Sequence, residues 1–162
     1  MPADSPPPLS AAKLRARRRR VEEIARRLGF VGRVDYQHVY SRSGGASYGQ
    51  GPSADEDLLI VYVEAFERDA DPNEFSLNAI LAHERGHQLF VRHRRLANWA
   101  ARASPVTEEV LASILGGIIC GDDQDQNDLV SKAVFDLVRR GIAPDDALGM
   151  VRGLMEILEA LL

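Results

Sequence analysis

Residues 81–93 read LAHERGHQLFVRH, and this stretch contains His83, Glu84 and His87 in the order His-Glu-x-x-His. Residues four positions apart lie on the same face of an α-helix, so the two histidines can offer two imidazole nitrogens to one metal ion. Glu84 follows the first histidine directly, where sites of this type place the base that takes a proton from a metal-activated water molecule. The stretch therefore predicts a zinc-dependent hydrolytic site on a helix.

The residues around the motif favour a helix that follows a strand. Apolar residues recur at helical spacing on both sides of the motif, at Leu77, Ile80, Leu81, Leu89 and Phe90. The preceding run LLIVYVEAF, residues 58–66, is almost continuously apolar and rich in β-branched residues, which predicts a well-covered strand. Gly86 lies inside the motif although glycine costs a helix about 1 kcal/mol relative to alanine. We therefore expect close packing at this glycine.

A catalytic zinc of this type takes three protein ligands and leaves one position for water. His93 is one candidate for the third ligand, because it lies where the longer metzincin pattern has its last histidine. That pattern needs a glycine that turns the chain back toward the metal, and this sequence has Phe90 at that position. Because phenylalanine strongly disfavours left-handed backbone angles, we expect the helix to continue and His93 to point away from the metal.

The other candidates for the third ligand are acidic residues on a later helix. Glu108 and Glu109 lie 21 and 22 residues after His87, in the segment PVTEEVLASILGG. The apolar residues of this segment would let it pack beside the motif helix, so that one glutamate faces the metal. The other would face solvent or support a histidine. We favour a glutamate over His93.

The segments AHERGHQLF and EEVLASILGG together resemble the ImmA/IrrE family of small gluzincin-like metallopeptidases, whose members pair an H-E-x-G-H helix with a downstream E-x-x-A helix. Gly86 matches the glycine of the first pattern. Glu109 and Ala112 match the second, which favours Glu109 over Glu108 as the third ligand. The resemblance covers residues 58–120, about 40% of the 162 residues.

The resemblance implies both a fold and an activity. The fold would be a minimal zincin-like domain of the α+β class, with a small β-sheet, an active-site helix, a glutamate helix and extra C-terminal helices. In such a fold the strand at residues 58–66 would line the substrate cleft, and a peptide could add to its edge. The alternative is an interior strand with no free edge. Ser113 departs from the family pattern, in which an acidic or amide residue often follows the alanine. The helix-turn-helix domain usual in the family is not recognisable here.

The activity implied is that of a zinc-dependent endopeptidase of the gluzincin type, with His83, His87 and Glu109 binding Zn²⁺ and Glu84 as the base. Its substrate would be a cytoplasmic protein or peptide, in this family often a transcriptional regulator. The alternative is a zinc-binding regulatory domain that holds a protein partner with little or no cleavage. Arg85 favours this alternative, because it places a charge next to the base within the motif.

The whole chain predicts a disordered leader at residues 1–9, which contain four prolines, and a single zincin-like metallopeptidase domain at residues 10–162. The expected order is one helix, a few strands and then four helices. Helices are expected from Ser10 to a stop at Gly29, after residues 69–75 through the motif, and from Ser104 and Pro105 onward. Two more are expected at residues 125–140 and 144–161. Strands are expected at residues 33–40, 46–49 and 58–66.

The charge distribution and the hydropathy of the chain indicate where in the cell the protein resides and which partners it could bind. Residues 1–30 carry eight basic side chains against three acidic ones, a net charge of +5, and the remainder carries 12 against 21, a net charge of −9. No aromatic residue interleaves with the arginines, so we expect an amphipathic helix that docks on its own domain rather than a nucleic-acid site. No apolar run approaches the roughly 20 residues of a membrane span, and no secretory signal is recognisable, which predicts a cytoplasmic protein. The last helix is apolar enough to close the core or to form a homodimer seam.

Overall fold

The structure is a computed structural model that describes residues 5–41, 44–67, 74–100 and 107–162. The described chain is α+β, with six α-helices and one three-stranded mixed sheet. Its contacts divide it into two compact units, Met1–Leu81 and Ala82–Leu162. The helices are α1 (Ala11–Arg27), α2 (Leu77–Arg92), α3 (Arg94–Ala100), α4 (Glu108–Ile119), α5 (Asp123–Arg139) and α6 (Pro144–Leu161). The strands are β1 (Arg33–Tyr36), β2 (Ala46–Gly49) and β3 (Leu58–Val61).

Helix α1 begins and ends where the sequence predicts. The Ser10 hydroxyl accepts a hydrogen bond from the Lys13 N–H at 3.2 Å, and Gly29 adopts a φ of 82° just beyond the helix. Arg17 donates to the hydroxyl of Tyr36 at 2.7 Å, and its guanidinium lies 4.6 Å from the ring centroid of Phe66. This arginine of the basic segment therefore packs within the first unit.

Two further arginines of α1 have partners in the same unit. Arg18 pairs with Asp35 at 3.6 Å, and Arg27 donates to the side chain of Asn78 at 2.6 Å. Of the predicted leader, residues 1–4 lie outside the described residues. Residues 5–9 have no regular secondary structure, and the Pro7 carbonyl oxygen lies 2.6 Å from Nε2 of His38.

The sheet places β3 in the centre. Its order is β1-β3-β2, with β1 parallel and β2 antiparallel to β3. Both edges of Leu58–Val61 are therefore paired, and the expectation that a peptide adds to this strand is wrong. The strand is also shorter than the apolar run, because a 3₁₀ turn follows at Val63–Ala65. There the buried carboxylate of Glu64 accepts hydrogen bonds from the N–H and hydroxyl of Ser41.

The second unit has α4 at its centre. Every residue from Val110 to Gly117 is buried, and α4 contacts both α5 and α6. The hydrophobic core consists of Leu89, Leu96, Val110, Leu111, Ile114, Leu115, Ala133, Leu137, Ala147, Val151 and Leu158. The predicted helix start at Ser104 and Pro105 lies outside the described residues. The described helix begins at Glu108 and is capped by Thr107, whose hydroxyl accepts from the Val110 N–H at 3.4 Å.

Helix α3 is an element that the sequence did not predict. Helix α2 continues through Phe90, as expected, and ends at Arg92. His93 then caps α3, because its Nδ1 accepts a hydrogen bond from the Leu96 N–H at 3.4 Å. Five helices therefore follow the sheet instead of four. The last two, α5 and α6, agree with the predicted ranges to within two residues. None of the described helices has the length and apolar character to cross a bilayer.

Candidate metal centre

Helices α2 and α4 approach each other so closely that their backbones touch at two glycines. A Cβ atom built at Gly86 would overlap the carbonyl oxygen of Ala112, and one at Gly116 would lie 2.8 Å from the carbonyl oxygen of Ala82. Real Cβ atoms essentially never lie that close to a backbone atom. The close packing predicted at Gly86 is confirmed, and it brings the first turn of α4 beside the motif.

This packing brings together three side chains that could bind a metal ion. The Nε2 atoms of His83 and His87 lie 3.2 Å apart. The Glu109 carboxylate lies 3.1 Å from Nε2 of His83 and 2.9 Å from Nε2 of His87. Ligands about 2.1 Å from a tetrahedral zinc ion lie about 3.4 Å from one another. The donor set and its spacing therefore fit a zinc ion.

Each histidine is held by its other ring nitrogen. Nδ1 of His83 lies 3.1 Å from Oγ of the fully buried Ser113, and Nδ1 of His87 lies 3.2 Å from Oε1 of Glu108. When Nδ1 carries the proton and donates it outward, Nε2 keeps its lone pair for a metal. Helix α4 thus supplies Glu109 and also the two groups that orient the histidines.

Burial and hydrogen bonding shift the pKa values within the cluster. Hydrogen bonds from His83 and His87 hold the pKa of the Glu109 carboxyl well below its usual range. Burial lowers the pKa of His83, with the hydrogen bond to Glu109 opposing it. Burial would also lower the pKa of His87, but the hydrogen bond to Glu109, the charge of Glu84 and the hydrogen bond to Glu108 raise it to about 9. In the metal-free protein at neutral pH, His87 therefore carries a proton.

Glu84 and Arg85 differ in their relation to the cluster. Glu84 is half-buried, and its negative charge contributes to the raised pKa of His87. Arg85 donates to Oε1 of the buried Gln88 at 2.6 Å, one turn further along the same helix. The charge of the candidate base therefore acts on the donor cluster, whereas the Arg85 side chain is tied to its own helix.

The site also contains two residues that the sequence analysis did not assign to it. Ser113 appeared there only as a departure from the family pattern, although its position one turn after Glu109 puts both on one face of a helix. Lys132 of α5 has its ammonium 3.6 Å from Oε2 of Glu109 and 3.2 Å from Asp136. The position of Lys132 depends on how α5 packs against α4. No local sequence pattern predicts that packing. His93 is not brought into the cluster, because it caps α3.

Comparisons with models of protein families, with curated protein sequences and with solved structures find no significant match to this chain. The resemblance to the ImmA/IrrE family therefore rests on the motif residues and stays a prediction.

Proposed function

We propose that this protein is a zinc-dependent endopeptidase of the gluzincin type, built on a minimal zincin-like fold. His83, His87 and Glu109 would bind the ion, and Glu84 would act as the base. The observation that carries the proposal is the convergence of both histidine Nε2 atoms on the Glu109 carboxylate, at 2.9 and 3.1 Å. Hydrolysis is favoured because the motif also places a carboxylate directly beside the first ligand.

The chemistry follows from what each group can do. A zinc ion bound there would lower the pKa of its water to about 7 and polarise the carbonyl of the scissile peptide bond. Glu84 would accept the proton from the attacking water and pass it to the departing amine. Ser113 and Glu108 would keep the histidine rings oriented, because each lies within hydrogen-bond distance of an Nδ1 atom. Glu109 would be the third protein ligand, as in catalytic zinc sites that keep one position for water.

The substrate class follows from the reaction, since the base and the ligands together serve amide hydrolysis. We propose a protein or peptide as the substrate. A transcriptional regulator is proposed from the family resemblance alone, because no side chain of the site selects one.

The first test replaces Glu84 by glutamine. Glu84→Gln keeps the size of the side chain and removes the base, so we expect unchanged zinc content and cleavage reduced by at least about a hundredfold. Zinc is measured by mass spectrometry of the metal, and cleavage is followed on an unstructured protein such as casein. Wild type that binds one zinc and cleaves nothing would favour the alternative, a regulatory zinc-binding domain. Undiminished cleavage by the variant would show that Glu84 is not the base.

A further inference from the structure

An open cavity of about 330 Å³ lies beside Glu109 in the second unit. The start of α4 and the second half of α5 form its wall, through Thr107, Glu109, Lys132, Asp136, Arg139 and Arg140. A water molecule takes up about 30 Å³ of liquid, so the cavity has room for a carboxylate-bearing side chain together with several waters. The wall carries three cationic side chains and two carboxylates.

The charges on this wall are unequally compensated. The Lys132 ammonium lies 3.2 Å from Asp136 and 3.6 Å from Glu109, so it already has two carboxylate neighbours. Among the residues that the structure describes, neither Arg139 nor Arg140 has a carboxylate within ion-pair distance. The Arg139 guanidinium lies 5.8 Å from the ring centroid of Phe135 on the same helix. Two exposed guanidinium groups therefore border a cavity without an anionic partner.

The chemistry of these groups selects an anion with two oxygen atoms. A guanidinium offers paired N–H donors in a planar fork that matches a carboxylate. The hydroxyl of Thr107 accepts from the Val110 N–H and can still donate its own proton into the cavity. Lys132 offsets one of the two negative charges of Glu109 and Asp136, and a metal bound to Glu109 would offset the other.

We propose that this cavity is a subsite for a carboxylate group of the substrate, close to the bond that is cut. The proposal rests on the peptidase function, because Glu109 belongs both to the donor cluster and to the wall of the cavity. The preferred substrates of the endopeptidase are then peptides that carry an aspartate or glutamate side chain near the scissile bond. A free C-terminal carboxylate bound in the cavity would instead make the enzyme an exopeptidase.

Binding to zinc-loaded Glu84→Gln protein tests the subsite without any cleavage. Three fluorescently labelled peptides of one sequence serve as probes: one with an internal glutamate and an amidated end, one with glutamine there and an amidated end, and one with glutamine and a free C-terminal carboxylate. Fluorescence anisotropy gives the affinities. We expect at least one carboxylate peptide to bind about five- to tenfold more tightly than the neutral peptide. The peptide that gains affinity identifies the source of the carboxylate.

Substitution of the two arginines separates the subsite from direct binding of a carboxylate to zinc. In Arg139→Gln/Arg140→Gln, added to the Glu84→Gln background, the preference for carboxylate should disappear. Arg152→Gln is the matched control, since Arg152 is an exposed arginine of the same unit that does not line the cavity. All of the substituted arginines are exposed, so the variants should fold, which circular dichroism checks.

The outcomes separate this proposal from the peptidase function. If all three peptides bind alike, if none binds at millimolar concentration, or if the preference survives the double arginine substitution, the subsite is wrong. If the wild type cleaves unstructured protein without any preference for acidic residues, the peptidase function stands and the subsite is wrong. If carboxylate binding depends on the two arginines but the wild type cleaves nothing, the carboxylate site stands and the peptidase function is wrong.

Discussion

Glu109 and His93 have different surroundings, although both were candidates for the third ligand. The carboxylate of Glu109 lies within 3.1 Å of both histidine Nε2 atoms, whereas Nδ1 of His93 accepts a backbone N–H at the start of α3. The reason is local, because α2 continues through Phe90 and carries His93 past the face that holds His83 and His87.

Single substitutions check the ligand assignment. Glu109→Ala should weaken zinc binding by more than about a hundredfold, since even the loss of an outer hydrogen-bonding partner costs 10- to 100-fold. His93→Ala should leave zinc affinity unchanged and lower thermal stability slightly, through the lost cap of α3. Competition with a chromophoric chelator measures both affinities. Loss of zinc in the His93 variant alone would reverse the assignment.

If zinc binds at the proposed site, His87 should make its affinity depend on pH. Its pKa is raised to about 9 in the metal-free protein, so zinc must displace a proton at neutral pH. The apparent association constant should then rise about tenfold per pH unit between pH 6 and 8, with about one proton released per zinc. Calorimetry in buffers of different ionisation enthalpy counts the proton. An affinity that stays flat over this range would contradict the shifted pKa.

The raised pKa of His87 should also make the stability of the metal-free protein depend on pH. The folded-state pKa of His87 lies above the unfolded value of about 6.5. Protonated His87 therefore contributes stability that is fully present below about pH 6.5 and is lost as pH rises through about 9. Zinc binding strengthens over the same window, so the free energies of unfolding of the metal-free and zinc-loaded forms should diverge with rising pH.

At the scale of the elements, the separation of α2 and α4 is set by backbone contact. Gly86→Ala should destabilise the fold by about 2 kcal/mol, because the overlap with Ala112 outweighs the gain of about 1 kcal/mol in helix propensity. The variant should also bind zinc more weakly, since Glu109 would be displaced from the histidines. Urea unfolding and chelator competition measure the two effects.

Helix α6 offers a matched control for this substitution. Gly153 is also a helical glycine, but a Cβ atom there would have no neighbour within 4 Å. Gly153→Ala should therefore stabilise the protein by about 0.5–1 kcal/mol and leave zinc affinity unchanged. Equal effects of the two substitutions would show that the close approach at Gly86 does not govern stability.

At the scale of the whole molecule, zinc should raise the melting temperature. A ligand at 100 times its dissociation constant stabilises the folded state by about 2.7 kcal/mol. For the second unit, Ala82–Leu162, this free energy corresponds to a rise in melting temperature of about 10–20 °C. Differential scanning fluorimetry with zinc and with a chelator measures the shift, and His83→Ala should abolish most of it. An equal shift in that variant would indicate that zinc stabilises the protein at some other place.

The sequence predicts the α+β class, the order of the main elements and most helix ends, because caps and stops such as Ser10, Gly29 and Gly141 act locally. It also predicts the cluster of His83, His87 and Glu109, through helical spacing and the family pattern. It does not predict α3, since the chain carries neither glycine nor proline at the break before it. The central position of β3 and the place of Lys132 depend on contacts between segments far apart in sequence.

The contact of Gly86 with Ala112 and that of Gly116 with Ala82 extend the signature of the site beyond His-Glu-x-x-His. A searchable pattern is A-H-E-x-G-H on one helix and E-x-x-A-x-x-x-G on a later helix that packs against it, with the small residues specifying the spacing of the two helices. A designer who transfers this candidate metal centre to another helical pair would need to graft the small residues together with the three donor residues. Chains that share the ligands but carry bulky residues at these positions should lack the site.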